Sequence, residues 1–356
     1  MMIKNKTVIL LILWLIFTAC NGQNLNKSNA FGDRKDAILN KIPIPENGFS
    51  NAVLSRDGSL WFSSNGNGVF HFDGIKYINY TEKDGLGSNQ VFCIVEDSKN
   101  NLWFGTQNGL TKYDGNQFEN ISLPFQDTSS IWLDKMYPVI NPNAVHALAV
   151  DDGGYLWLGT AGGGAYQYDG NSFQPYLRKI GKKQEDSLFH NWIPFIRKDN
   201  KGDMWFASMT HGGVSRFDGS EFTQFLIKDG LSEDQVRTIF CDKDGNIWMG
   251  FNGNRNSGLT VFDGKSFVTY SQKDGLCNKR IRAIFEDSSG NIWLGTDLGE
   301  LCIFDGQKFS KFEYKGQTYT DILFILSDST KNIWFGGSKG VWKYTGEEVV
   351  EMTINK

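Results

Sequence analysis

The chain has 356 residues, a formal net charge of −4 and a sequence pI near 5.7, so electrostatics give no reason to expect a nucleic acid partner. Aromatic residues make up 14% of the chain, glycine contributes 40 residues, and no stretch keeps an apolar period of 3.6. These features favour an all-β protein over a helical one. Length alone would allow two or three domains.

The first 19 residues have the pattern of an export signal. Lys4 and Lys6 precede an apolar run from Val8 to Phe17, and small residues then lead to Cys20. This arrangement resembles a bacterial lipoprotein signal peptide over 1–19, in which cleavage leaves Cys20 as the lipidated N-terminus. An ordinary secretory signal and an uncleaved anchor remain the alternatives. We therefore expect an exported lipoprotein that faces the periplasm and contacts the membrane only through its lipid.

Residues 20–48 are predicted to connect this anchor to the folded domain. Asn21 to Asp33 are polar and small, as in a disordered tether. Ala37 to Ile44 then form an extended segment with a proline, followed by Pro45. Because proline is confined to sheet edges, this segment is predicted to form an edge strand on the last unit of the domain.

Residues 49–356 contain one unit repeated seven times. Each unit has a tryptophan, and a step of aromatic, Asp and Gly follows it, except that the seventh step reads Tyr344-Thr345-Gly346. The successive tryptophans are 42, 54, 48, 43, 45 and 41 residues apart: Trp61, Trp103, Trp157, Trp205, Trp248, Trp293 and Trp334. A period in the forties with several short strands per unit predicts a seven-bladed β-propeller of four-stranded antiparallel blades.

A fixed spacing inside each unit indicates how its strands are joined. An Asp precedes the tryptophan by six residues in six units, and Ser55 replaces it in the first. Such a side chain can hydrogen-bond the backbone two residues on and fix a turn between the first and second strands. Side chains alternate along the second strand, so each tryptophan is predicted to pack between blades rather than to bind a ligand.

The composite repeat resembles a known family. Asp-Gly-Leu, then Val-x-x-Ile-x-Glu-Asp, Gly-Asn-Ile-Trp-Leu-Gly-Thr and aromatic-Asp-Gly is similar to the two-component regulator propeller repeat, over about Phe49 to Ile354. The resemblance implies a sensor propeller of the kind found in bacterial hybrid histidine kinases, many of which detect glycans. No transmembrane, kinase, receiver or DNA-binding segment follows the repeats, so we expect the sensing half alone on a lipid anchor.

Variation in length is confined to two classes of loop. The turns between first and second strands and between third and fourth strands keep one length in every unit. The insertions fall between blades or between second and third strands, at Leu123 to Asn143, Leu177 to Asn191 and Asn252 to Ser257. Both loop classes leave a blade on the same side. We therefore expect function on this face, which we call the insertion face.

The candidate binding residues lie on the insertion face. Its loops hold Trp132, Tyr137, His190, Trp192, His211, Asn254 and Arg255. Five residues before the marker Asp, in the first strands, are His146, Arg237 and Arg282, which we expect near the mouth of the central channel. Aromatic side chains beside Arg and His suit a sugar or an anionic small ligand, through stacking and bidentate hydrogen bonds, in the channel mouth. A partner protein would instead use the wider outer loops at Trp132 and Trp192. Alternatively, these side chains fill the channel and satisfy one another.

Chemistry and cofactors have little support in the sequence. The four histidines have no metal-ligand spacing, and neither a serine nucleophile elbow nor a phosphate loop is present, so we expect no metal and no cofactor. A binding module without catalysis is the favoured interpretation. The alternative is a propeller lyase or glycosidase with His146 or His211 as general base.

The remaining four cysteines fall at different positions of the repeat. Cys93 and Cys241 fall on first strands, Cys277 before one, and Cys302 on a third strand. Export would permit disulfides, but these slots differ and no Cys-x-x-Cys spacing occurs. All four are predicted to be buried free thiols.

Overall fold

The structure is a computed structural model that describes residues 41–124, 141–177, 192–253 and 258–354. A short strand, β1 (Ile42–Pro43), precedes the repeats. The first three units contain β2 (Phe49–Leu54), β3 (Leu60–Ser64), β4 (Val69–Phe72), β5 (Tyr77–Tyr80); β6 (Val91–Glu96), β7 (Leu102–Thr106), β8 (Gly109–Tyr113), β9 (Phe118–Ile121); and β10 (Asn141–Val150), β11 (Leu156–Ala161), β12 (Ala165–Tyr168), β13 (Phe173–Tyr176).

The later units follow the same plan. They contain β14 (Phe195–Lys198), β15 (Met204–Ala207), β16 (Val214–Phe217), β17 (Phe222–Phe225); β18 (Val236–Cys241), β19 (Ile247–Phe251), β20 (Leu259–Phe262), β21 (Phe267–Tyr270); β22 (Ile281–Glu286), β23 (Ile292–Thr296), β24 (Cys302–Phe304), β25 (Phe309–Lys311); and β28 (Ile322–Ser327), β29 (Ile333–Gly337), β30 (Gly340–Tyr344), β31 (Val349–Glu351). A hairpin, β26 (Glu313–Tyr314) and β27 (Gln317–Thr318), separates the last two units, and β32 (Thr353–Ile354) ends the described chain.

Seven four-stranded antiparallel sheets result, each with its strands in chain order. Their first strands contact one another around a complete circle, because β28 of the seventh sheet packs against β2 of the first. The predicted seven-bladed β-propeller is therefore confirmed. We number the blades one to seven in chain order, and the seven first strands surround the central channel.

The ring closes without exchange of a strand between blades. β1 pairs in parallel with β32, which follows the outer strand of blade seven, and the Ile42 amide donates to the Met352 carbonyl at 3.2 Å. Within the predicted segment 37–44, Ile42 and Pro43 thus form a strand beside the end of blade seven, in a two-stranded sheet separate from the four strands of that blade. Ile42 is fully buried against residues of both terminal blades, among them Phe62 of blade one and Trp334 of blade seven.

Each repeat tryptophan packs against the next blade, as predicted. Trp61, for example, contacts Phe104 and Tyr113 of blade two. In blades two to seven the indole Nε1 also donates to the marker Asp six residues earlier, at 2.8 Å in every case: Trp103 to Asp97, Trp157 to Asp151, Trp205 to Asp199, Trp248 to Asp242, Trp293 to Asp287 and Trp334 to Asp328. The constant spacing of six therefore satisfies a largely buried indole N–H as well as the turn.

The glycine two residues after the tryptophan marks a close approach between blades. A Cβ on Gly105 would lie 2.5 Å from the Val145 carbonyl oxygen, and one on Gly159 would lie 2.5 Å from that of Ile193. Both carbonyls belong to the following blade. At these two positions a side chain would collide with the backbone of the next blade, whereas Ser63 and Ala207 occupy the equivalent positions of blades one and four.

The two turn classes of constant length are held by side-chain caps. Asp73 accepts from the backbone amides of Ile75 and Lys76, and the same contacts recur at the other Asp-Gly steps. In blade seven the Thr345 hydroxyl accepts from the amides two and three residues on, so the departure in sequence preserves the turn. Each of these turns keeps its length because the cap fixes it.

The insertion face carries one more elaboration than the sequence predicted. The hairpin β26–β27 occupies the junction between blades six and seven, which is one of the two loop classes of that face. At three other junctions the Lys-Asp-Gly step forms a short 3₁₀ turn, at Glu82–Asp84, Ile227–Asp229 and Gln272–Asp274.

The prediction of four free thiols is wrong for two of them. Cys277 and Cys302 form a disulfide, with their Cα atoms 5.9 Å apart, whereas Cys93 and Cys241 are buried free cysteines. The error arose because the two positions occupy different slots of the repeat. Those slots meet in space, because the loop that enters a blade crosses over the third strand of the same blade.

Candidate functional site

A β-bulge occurs at one fixed position of the first strand. In blade two, Val91 and Cys93 pair with adjacent residues Thr106 and Gly105, which leaves Phe92 as an extra residue. The same shift leaves a corresponding extra residue in five other blades: Ser50, His146, Arg237, Arg282 and Leu323. A bulge releases one residue from the ladder and redirects its side chain, so it explains why this position can vary in chemistry.

These extra residues form a ring of half-buried side chains around the channel, although their neighbours along each strand are mostly buried. Blade four differs, because Pro194 occupies the position just before β14 and lacks the N–H that a ladder needs. The expected placement of His146, Arg237 and Arg282 on one ring is thus what the structure shows. We call this ring, with the side chains that contact it, the channel mouth.

One side of the channel mouth is aromatic. The rings of Phe92 and His146 stack with centroids 4.0 Å apart, and the Trp192 ring meets His146 edge to face at 5.7 Å. Trp192 therefore belongs to the channel mouth rather than to the wider outer loops in which its sequence position had placed it. Its indole Nε1 is buried and has no hydrogen-bond acceptor among the described residues. Burial, with the positive charge of Arg237 as a second cause, lowers the pKa of His146 to about 4, so this imidazole is neutral at pH 7.

The other side of the channel mouth is cationic. Arg282 donates to the Asp297 carboxylate at 2.8 Å, and Arg280 lies 3.7 Å from the same carboxylate. Arg237 makes a different contact: its Nη1 lies 3.9 Å from the sulfur of Met209, whose own amide donates to the Trp192 carbonyl at 3.0 Å. Met209 thereby joins the aromatic and cationic sides. The described residues place no carboxylate within ion-pair distance of Arg237.

Deeper in the channel the lining becomes more apolar. Three residues after Pro194, Arg197 places its guanidinium over the Phe240 ring at 5.1 Å, and Phe240 contacts Phe285 at 6.5 Å. Arg197 is exposed to channel solvent although protein surrounds it. Burial lowers its pKa, and Cys241 acts in the opposite direction. The sequence of the single strands did not predict this cation–π contact.

The remaining candidates fall into two groups. His211 lies at the rim with a positive φ of 63°, and its Nδ1 is 3.0 Å from Asp234, while its Nε2 is 3.2 Å from the Gln235 amide. It therefore contacts residues of the loop before β18. The other candidates lie outside the described residues: Cys20, Trp132, Tyr137, His190, Asn254 and Arg255.

Sequence analysis missed Met209 and Asp297 at the channel mouth. Met209 is in the loop after β15, and Asp297 is the first residue after β23. Both follow second strands, which end beside the bulge of a first strand. Comparing the repeats at that slot would have identified them. Over the described ranges, no group of three or more His, Cys, Asp or Glu side chains is placed to hold a metal ion.

The architecture defines a class, a seven-bladed propeller with a chemically varied channel mouth. Within this class, the sequence model of the two-component regulator propeller family matches residues 85–108, 230–253 and 275–297. Three stretches of the chain are thus similar to repeats of that family. It is 23% identical over 300 residues to histidine kinase P4 of Formosa agariphila, an alignment that covers 80% of this chain and 20% of the kinase. The chain thus spans about a fifth of that relative.

Solved structures share the fold at low sequence identity. The extracellular domain of BT3049 from B. thetaiotaomicron, described as a hybrid two-component system, matches with a TM-score of 0.65 at 22% identity, covering 87% of this chain and 39% of that one. A streptogramin B lyase matches with a TM-score of 0.65 at 16% identity, covering 87% and 96%. A GH74 enzyme of Niastella koreensis matches with a TM-score of 0.62 at 13% identity, covering 86% and 53%. Sensors and enzymes therefore use the same scaffold.

Proposed function

We propose that this protein is an exported recognition module of the two-component sensor type, which binds a glycan or a partner protein at the channel mouth and performs no chemistry itself. The observation that carries this proposal is the bulge ring. It presents aromatic and cationic side chains, including His146, Arg237 and Arg282, half-buried on one face of a rigid scaffold. Variable residues on an invariant frame are typical of recognition sites.

Two further observations support the proposal. The length variation and the β26–β27 hairpin are confined to the face that carries the channel mouth. The relatives include a histidine kinase and the extracellular domain of BT3049, and the disulfide between Cys277 and Cys302 fits an oxidising compartment outside the cytoplasm. None of the helices within the described ranges has the length and apolar character needed to cross a bilayer.

The test is a thermal-shift screen of glycans, followed by analysis of products for every glycan that binds. A binding module should be stabilised by its ligand and leave that ligand unchanged. Trp192→Ala should abolish or strongly weaken the shift, because it removes an aromatic wall of the channel mouth. Tyr155→Ala is the matched control: Tyr155 is an exposed aromatic residue in a turn on the opposite face, and its loss should leave binding intact.

The competing class is a propeller lyase or glycosidase. Its candidate general base is His146, which is unprotonated at pH 7, but a pKa of about 4 makes this imidazole a weak base there. Product formation from a bound glycan, lost in His146→Gln while the melting temperature is kept, would replace the binding module with an enzyme. If protein extracts but no glycans bind, and Trp192→Ala alone removes that binding, the partner is a protein.

We also propose attachment through a lipid on Cys20, with the tether between that residue and the propeller. Cys20 lies outside the described residues, and the proposal rests on the sequence pattern around it. Cys20→Ser should abolish metabolic labelling with a fatty acid and release the protein from membranes. Continued membrane attachment of this variant would show that an uncleaved anchor holds the chain.

A further inference from the structure

Arg237 is a largely buried cation whose contacts do not neutralise it. Its only hydrogen bond within the described residues is the weak one from Nη1 to the sulfur of Met209, and its Nε has no acceptor. The nearby carboxylate of Asp297 is already bound by Arg282 and approached by Arg280. Among the described residues, the guanidinium edge that contains Nε is therefore left without a partner.

The charge on Arg237 persists despite its burial. Burial is the largest cause that lowers its pKa, to about 10, and the positive charge of Arg282 adds to that effect. Arg237 is therefore still cationic at pH 7. Holding an ion out of water costs several kcal/mol unless an opposite charge compensates it. In the part of the channel mouth that the structure describes, three arginines lie against the one carboxylate of Asp297, which is an excess of positive charge.

We propose that the channel mouth recognises a saccharide that carries an oxyanion, a carboxylate or a sulfate, through pairing with Arg237; this inference rests on the proposed function. A guanidinium binds such a group through two parallel N–H donors, and Nη1 is turned to Met209, which leaves the Nε edge for the ligand. The Trp192 indole Nε1 is a second buried donor for which the described ranges supply no acceptor. The aromatic surfaces beside it suit the apolar face of a sugar ring.

The first experiment uses simple anions as probes. The melting temperature of the full chain is measured in acetate, sulfate and chloride at equal ionic strength, for the wild type, Arg237→Met and Arg56→Met. Relative to chloride, acetate or sulfate should stabilise the wild type and Arg56→Met by more than it stabilises Arg237→Met, which retains only the general effect of a salt excluded from the protein surface. Arg56 is the matched control, because it is an exposed arginine in a turn on the opposite face.

The chloride baseline separates a ligand site from a structural plug. Arg237→Met should melt at or above the wild-type temperature in chloride, since an apolar side chain replaces an unpaired buried charge. A lower melting temperature together with an equal response of wild type and variant to acetate and sulfate would overturn the proposal. In that case Arg237 only fills the channel.

The second experiment identifies the source of the oxyanion by calorimetry. Uronic acid oligosaccharides are compared with their methyl esters, and sulfated oligosaccharides with their unsulfated parents. We expect at least a tenfold preference for one charged form, and that preference should vanish in Arg237→Met. Equal binding of charged and neutral forms would refute the charge inference and keep the binding module. If the melting temperature responds to anions but no saccharide binds, the inference that the ligand is a saccharide is refuted. If no saccharide binds and no response to anions depends on Arg237, both the binding module and the charge inference are contradicted.

Discussion

The marker carboxylate of each repeat links the turn to the blade core. In blade six, Asp287 accepts from the amides of Ser289 and Asn291 through Oδ1, and from the Trp293 indole and the Asn291 side chain through Oδ2. Burial by itself raises the pKa of Asp287, and the hydrogen bonds from Trp293 and Asn291 outweigh it, so the pKa lies below its ordinary value. This carboxylate therefore stabilises the fold above its unfolded pKa, and that contribution is lost as the pH falls through the folded pKa.

Removing this carboxylate should expose its double role. Asp287→Ala leaves the buried Trp293 N–H without its acceptor and should lower the free energy of unfolding by about 1–3 kcal/mol. Urea unfolding followed by tryptophan fluorescence measures the change. Asp263→Ala is the control, since that exposed carboxylate caps a turn and has no tryptophan donor. Equal effects of the two variants would mean that the indole contact adds nothing.

At the scale of elements, the repeat predicted the blades, the inter-blade tryptophans and the capped turns, because each depends on residues close together in the chain. The repeat did not predict contacts between residues at different positions, or slots, of the repeat unit. The loop entering a blade meets that blade's third strand: Gly87 donates to Thr111 in blade two, and Ser232 contacts Thr260 at 2.9 Å in blade five. Cys277 and Cys302 occupy these same two slots in blade six, as a disulfide.

The same limit applies to the candidate site. The first-strand position of Arg237 was predictable, whereas the lack of a carboxylate partner depends on which loops converge there. Met209 and Trp192 reach the channel mouth through contacts between blades. Periodicity in one chain identifies equivalent positions, and only the three-dimensional arrangement shows which inequivalent positions touch.

Because these positions are equivalent in blades five and six, the disulfide can be tested by substituting the residues of blade five. Replacing Cys277 with Ser and Cys302 with Thr installs the pair that Ser232 and Thr260 form in blade five. The double variant should fold and should lose about 3 kcal/mol of stability, the scale for a cross-link closing a loop of this length. Its urea midpoint should not respond to reductant, whereas that of the wild type should fall. A wild-type midpoint unchanged by reductant would contradict the disulfide.

For the whole molecule, the decisive place is the seam where blade one meets blade seven. Elsewhere the chain itself joins neighbouring blades, whereas here, over the described ranges, packing and the β1–β32 pair do so. Ile42 contributes to both, because its amide joins the pair and its side chain packs among residues of both blades. Since each blade covers its tryptophan with the next, a seam that opens would expose surface on two blades at once.

Ile42→Ala should therefore destabilise the entire propeller. Truncating this side chain, which is 0% exposed, should lower the free energy of unfolding by about 2–4 kcal/mol, and all seven blades should unfold in one shifted transition because the ring depends on closure. Urea unfolding followed by tryptophan fluorescence and by far-ultraviolet circular dichroism checks both points. Ile75→Ala, at a turn residue that is 77% exposed, should change stability by less than about 0.5 kcal/mol. If the two variants behave alike, face packing closes the ring without help from β1. If the two probes separate in Ile42→Ala, the terminal blades unfold before the rest of the ring.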